Sequence, residues 1–259
     1  MGTVTYRDGI AILQLIVFPF ILVAAIFIWK CTGWRIGSKI WRFAVTLSLI
    51  RIAGSIASLL TISHDSYNVE VAVAVCELIG IAPLLLTYVG LLRQIDTQQS
   101  LPPRFLNIVS LVCIVGLILG IAGVSSADDN GSYHVNSIVK ASMGIFLAIF
   151  VLIVAIGAWL FVRLRPTMRA FQRKLFLAIA CSCPLLIVRL VYSAMGDYTT
   201  DTRFMVLVGS PTIYLCMDVL EEIFAMLITM VLGVSAVLEK DFVQLTPTER
   251  PAVGKIEVV

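Results

Sequence analysis

Seven apolar runs, each close to the length that carries a helix across a bilayer, constrain this chain more than any other feature. They fall at about 9–29, 43–63, 70–92, 105–124, 138–162, 175–196 and 212–238 and are cut apart by charged or turn-rich breaks. A tilted membrane helix needs about 20 mostly apolar residues, and a backbone in hydrocarbon must satisfy its own hydrogen bonds. Composition agrees. The 259 residues are 59% hydrophobic and 14% charged, with a mean hydropathy of +1.00, whereas soluble domains carry about 25% charged residues. The expected fold is an all-α membrane protein: one seven-transmembrane-helix bundle over residues 1–238, followed by a flexible polar tail, 239–259. The first run, followed by Lys30 and Arg35, is expected to stay in place as a span, because a secretory signal would have a shorter core and a small-residue cleavage site.

Lysine and arginine set the expected orientation. Loops one, three and five and the tail hold fourteen of the nineteen, from Lys30 to Lys255, whereas Arg7, Lys140 and Arg203 lie on the opposite side. Positive charge stays cytosolic, so the amino terminus is expected outside or in a lumen and the carboxyl terminus in the cytosol. Asn130-Gly131-Ser132 in the fourth loop is a glycosylation acceptor on the outer side, making Asn130 a candidate modified residue. The same stretch also has the composition of a surface turn. These features predict a multi-pass protein of the endoplasmic reticulum or another endomembrane, or of the plasma membrane. The net charge of +3 is spread over short loops, which argues against nucleic acid as a partner. Six cysteines within or at the ends of apolar runs, and two isolated histidines, His64 and His134, match no metal-ligand spacing. Neither a disulfide framework, a metal nor another cofactor is expected.

Against this apolar background, the run Ile213–Leu238 carries three carboxylates, Asp218, Glu221 and Glu222, with Tyr214 one turn earlier. Residues three and four apart share a helix face, so the four form a polar stripe. Each ionised acid at membrane depth costs about 2.5–3.5 kcal/mol, and must find partners, water or a proton. Arg51 in the second run and Arg189, with Tyr192 near it, in the sixth are the groups able to answer them, while Glu77 in the third adds a fourth acid. Counted at 1.5 Å per residue, Glu77, Arg189 and Asp218 lie roughly 10 Å below the outer surface. One reading is architectural, the two arginines neutralising two acids and locking the bundle. Against it, four acids exceed two arginines, and an unpaired buried carboxyl is driven to take up a proton.

Smaller marks suggest a shaped interior. Gly80 and Pro83 follow Glu77, and Pro184 precedes Arg189; proline in a span often kinks the helix. Gly116, Gly120 and Gly123 suit either this or close helix packing. Trp29, Trp41, Tyr88 and Trp159 fall near span ends and are expected as interface anchors.

The opening YRDGIAILQL, LIRIAG around Arg51, ELIGIAPLLLTYVGLL around Glu77 and RLVYS around Arg189 resemble a fungal seven-span family without an assigned function, over nearly the whole chain. In size and in carrying intramembrane acids, the chain is also similar to the small integral-membrane terpene cyclases of meroterpenoid pathways. That likeness, one of architecture and chemistry, implies acids that protonate an isoprenoid epoxide or alkene.

Two functions are therefore expected. The first is a membrane-embedded enzyme of secondary metabolism, cyclising or isomerising a lipophilic isoprenoid or polyketide-derived substrate. Glu77, Asp218 and Glu222 are its candidate proton donors, and Arg51, Arg189, Tyr192, Tyr214 and Glu221 its candidate binding residues. The second is a non-enzymatic receptor, carrier or channel-like protein whose acids bind a cation, a proton or a ligand. Lipid is a partner in both. The orientation predicts that glycosylation-site tagging will modify a site in the loop around Asn130 and none in the basic loops or after Glu239. Reversed accessibility would overturn the orientation and the depth argument with it.

Overall fold

The structure is a computed structural model that describes residues 6–38, 40–60, 76, 79–97, 100–126, 137–199 and 209–242. The main helices are α1 (Tyr6–Thr32), α2 (Arg42–Leu60), α3 (Ile81–Ile95), α4 (Pro103–Ser126), α5 (Ser137–Leu164), α6 (Ala170–Tyr198) and α7 (Pro211–Val237). All except α3 are long and apolar enough to cross a membrane. Six such helices, and no strand among the described residues, fit a multi-pass integral membrane protein. Helix α3 is 15 residues long; most of the run ahead of it, including Glu77, lies outside the described residues, as do Asn130 and residues 243–259.

Neighbours in sequence are neighbours in space. Each helix packs on the next, and α7 returns to α1, while α3 also touches α5 and α6. The shortest of these seven described helices is therefore the central one. All of its residues except Arg93 are buried, which fits its position inside a ring of the other helices. The outer faces remain apolar, with Phe20, Leu111, Val151 and Val231 exposed. In lipid these side chains lose nothing by exposure, so packing must come from close fit and from polar contacts between helices.

Glycines supply the close fit. A Cβ on Gly90 of α3 would stand 2.8 Å from the backbone oxygen of Ile40. Along α4, Gly116, Gly120 and Gly123 meet Ile145, Phe146, Ser142 and Val139 of α5, and Ser142 Oγ donates to the Gly116 carbonyl at 2.6 Å. These three glycines are packing contacts. At the far end of α3, Trp41 Nε1 donates to Gln94 Oε1 at 3.1 Å and Gln172 Nε2 to the Ile95 carbonyl at 2.8 Å.

Two expected interface anchors are instead in the core. Trp41 and Tyr88 are fully buried, because each polar tip has an internal partner: Gln94 for Trp41, and for Tyr88 the hydroxyl of Thr229 at 3.2 Å. Trp159 is exposed with Arg163 over its ring, and Trp29 stacks on Trp34. The chain just after α7 also packs: Phe242 meets Phe171 edge-on, Lys174 pairs with Glu239, and Asp241 accepts from the Ala170 N–H at 2.7 Å. Residues 239–242 thus belong to the folded bundle. No disulfide joins cysteines among the described residues.

Gly90→Ala is expected to destabilise the bundle by about 1–3 kcal/mol, since its Cβ meets rigid backbone. Gly9→Ala, with open space around it, should be neutral or stabilising by up to about 1 kcal/mol. Thermal unfolding in detergent checks the pair, and equal shifts would contradict the tight approach of α3 to the Ile40 backbone.

Candidate functional site: a buried ion cluster

Three helices deliver four charged side chains to one point. Arg51 comes from α2, Arg189 from α6, and Asp218 and Glu222 from α7; their relative exposures are 2%, 1%, 5% and 1%. Arg51 grips Glu222 with both ends of its fork, Nε to Oε1 and Nη2 to Oε2, each at 2.6 Å. Arg189 Nη1 donates to the same Oε2. Glu222 therefore bridges the two guanidiniums. Asp218 lies on their other flank, with Oδ1 3.5 Å from Arg189 Nη2 and Oδ2 4.0 Å from Arg51 Nη2.

Local backbone explains why these two acids meet. Residues Leu215–Val219 form a π turn, in which the Leu220 N–H reaches back five residues to the Leu215 carbonyl. The wider turn relaxes the α-helical ladder, as such bulges often do at polar sites. Asp218 and Glu222 point into the bundle together. Arg189 Nη1 also lies 3.5 Å from the Asp218 backbone carbonyl.

Gly80, just ahead of α3, completes the enclosure. A Cβ there would stand 2.5 Å from Arg51 Nη2, 3.0 Å from Arg51 Cζ and 3.1 Å from Arg189 Nη2. Both guanidiniums occupy the space a side chain would need, so this glycine serves close approach rather than an open kink. Ser55 Oγ lies 2.8 Å from the Arg51 carbonyl and 3.2 Å from Gln14 Oε1, tying α1 to the arginine's own turn.

The four charges balance. Two like-charged guanidiniums pressed against one glycine would repel strongly at low dielectric, and two carboxylates beside them cancel that repulsion. Each carboxylate lies within ion-pair distance of both guanidiniums. Of the other expected site residues, Tyr192 and Tyr214 are buried on α6 and α7, one turn from Arg189 and Asp218 respectively. Glu221 is half-buried outside the clamp, and its Oε2 is buried without a hydrogen-bond partner among the described residues.

Sequence reasoning located the four charges but missed Gln14, Ser55 and the contact role of Gly80. A glutamine and a serine inside apolar runs were the available signals. The family model described as Domain of unknown function (DUF7702) matches residues 4–240, a span holding every described helix and the whole cluster. The chain belongs to this family. The description assigns no activity, which agrees with a resemblance to a family of unassigned function. No curated protein and no solved structure matches the chain.

Glu222→Gln should leave two buried arginines with one carboxylate and lower stability by about 3–5 kcal/mol. Glu221→Gln, outside the clamp, should change it by less than about 1 kcal/mol. Likewise Arg189→Leu should reduce folded yield far more than Arg163→Leu. Detergent thermal melts and size-exclusion recovery measure both contrasts, and equal effects within either pair would break the assignment.

Proposed function

We propose that this chain is a seven-span, ligand-responsive membrane protein, receptor-like rather than enzymatic, whose buried ion cluster is the element that switches. The amino terminus faces outward or into a lumen and the tail faces the cytosol, on the strength of the lysine and arginine distribution. The carrying observation is the arrangement of the clamp: Glu222 is shared by Arg51 of α2 and Arg189 of α6. Both carboxyl oxygens of Glu222 are taken up by the two guanidiniums, which favours a clamp over acid-initiated cyclisation at Glu222. It is well suited to a partner exchange, in which a cation, a proton or a ligand's own charged group takes one member of the cluster and frees α2 from α6. The π turn beside Asp218 gives α7 a local element that can change register. The basic segment Arg163–Lys174 would be the cytosolic face that reads the change.

The enzyme reading keeps one specific support. Glu221 stands outside the clamp with a carboxyl oxygen that no described residue bonds. On that reading Glu221, together with Glu77, would act on a lipophilic substrate.

Two measurements separate the readings. Nitroxide labels at Arg42→Cys and Ala170→Cys, with the native cysteines replaced, report the cytosolic ends of α2 and α6 in lipid nanodiscs. Asp218→Asn, whose contacts are the longer ones, should add a second population of distances. An unchanged single distribution in a variant that folds would reject the switch. In parallel, purified protein incubated with an isoprenoid epoxide should yield no cyclised product above a heat-treated control. Product that disappears in Glu221→Gln would establish the enzyme instead.

A further inference from the structure

Away from the ion cluster, a groove of about 790 Å³ opens between α5 and α6 at the end where a short turn joins them. That volume is within the range of small-molecule sites. Its floor is apolar and shallowly built, because Gly157 and Ala158 of α5 face Ala180 of α6. Phe161 and Phe176, packed edge-on with ring centres 5.5 Å apart, form part of its wall. Ala158, Phe161, Leu177 and Ala180 are exposed, so the groove is open sideways along faces that otherwise meet lipid tails.

The mouth differs in chemistry. Arg165, in the connecting turn, and Arg173, in the first turn of α6, both line it and are both exposed. Neither makes an ion pair or a side-chain hydrogen bond with any described residue. The adjacent cation, Lys174, is by contrast held by Glu239 and Ser235. Two unpaired guanidiniums above a greasy slot make a recognisable combination: fixed positive charge at headgroup level and hydrocarbon below it. Basic pockets between membrane helices on the cytosolic side suit phosphate headgroups, and each nearby arginine contributes about 1 kcal/mol. Guanidinium forks match phosphate oxygens in geometry as well as charge.

We infer that this groove is a binding site for an anionic glycerophospholipid of the surrounding bilayer, one acyl chain lying between α5 and α6 and the phosphate held by Arg165 and Arg173. The site is separate from the ion cluster and stands or falls independently of the proposed switch. By seating a lipid against the α5–α6 turn, it would make the position of the basic segment depend on the anionic content of the membrane.

Native mass spectrometry of the full chain tests this, with release from nanodiscs of phosphatidylcholine alone or mixed with phosphatidylinositol. Retention of phosphatidylinositol over phosphatidylcholine is expected. Arg165→Gln with Arg173→Gln should weaken it roughly tenfold to thirtyfold. Arg163→Gln with Arg169→Gln, which removes the same charge outside the groove, should leave it within about twofold. Ala180→Trp, filling the slot from an exposed position, should reduce retention of both lipids. Equal losses in the two arginine pairs would mean diffuse surface attraction and would overturn the site. So would equal retention of the two lipids by the wild type, or lipid binding that arises only after residues beyond Phe242 are removed.

Discussion

Two arginines and two carboxylates buried together in a low-dielectric interior impose a condition that the rest of the bundle must meet. None of the four can be withdrawn without leaving an uncompensated charge, and none can be hydrated where it stands. The condition fixes three helices against one another: α2 and α6 meet at Glu222, and the π turn of α7 brings Asp218 to the same point. It also explains Gly80, since any side chain there would occupy the volume of the guanidiniums. An ion cluster of this kind is weak grounds for high stability, because desolvation offsets most of the Coulomb attraction. What it supplies is specificity of arrangement, and an arrangement held by exchangeable charges can have an alternative.

The remaining structure follows from lipid as solvent. With hydrocarbon outside, burying a leucine gains little, so the helices associate through small residues and through polar contacts that find no partner outside. Helix α3 has both. Its Gly90 lies against the Ile40 backbone, and its Gln94 and Ile95 receive Trp41 and Gln172. A second polar centre, Tyr88 with Thr229, joins α3 to α7 beyond the ion cluster. The α5–α6 contact is of another kind. The Tyr198 hydroxyl donates to the Lys140 carbonyl at one end of it, and at the other end small residues line an open groove with arginine side chains at its rim.

Much of this was legible residue by residue. Charges at Arg51, Arg189, Asp218 and Glu222 are conspicuous because each costs free energy in its own run, and a reader can infer that they must answer one another. Gly116, Gly120 and Gly123 announce a close contact by their four- and three-residue spacing. Trp41 and Tyr88 misled, because an amphipathic aromatic near a span end suits the interface equally well until its hydrogen-bond partner is known. For Gly80 a kink and a packing contact stayed equally open, because what decides between them is side chains of two other helices.

The sequence by itself determined that this chain has the long apolar segments of a multi-pass membrane protein, where they lie, and which charges would be isolated in them. Those properties depend on composition and local periodicity, to which each residue contributes alone. Only the tertiary structure decided which acid each arginine takes, that Glu222 is shared while Glu221 stands aside, and that α3 occupies the centre. Such choices depend on the relative rotation and depth of helices far apart in the chain. A shift of one residue on a helix turns a side chain by about 100°, and no local pattern records that angle.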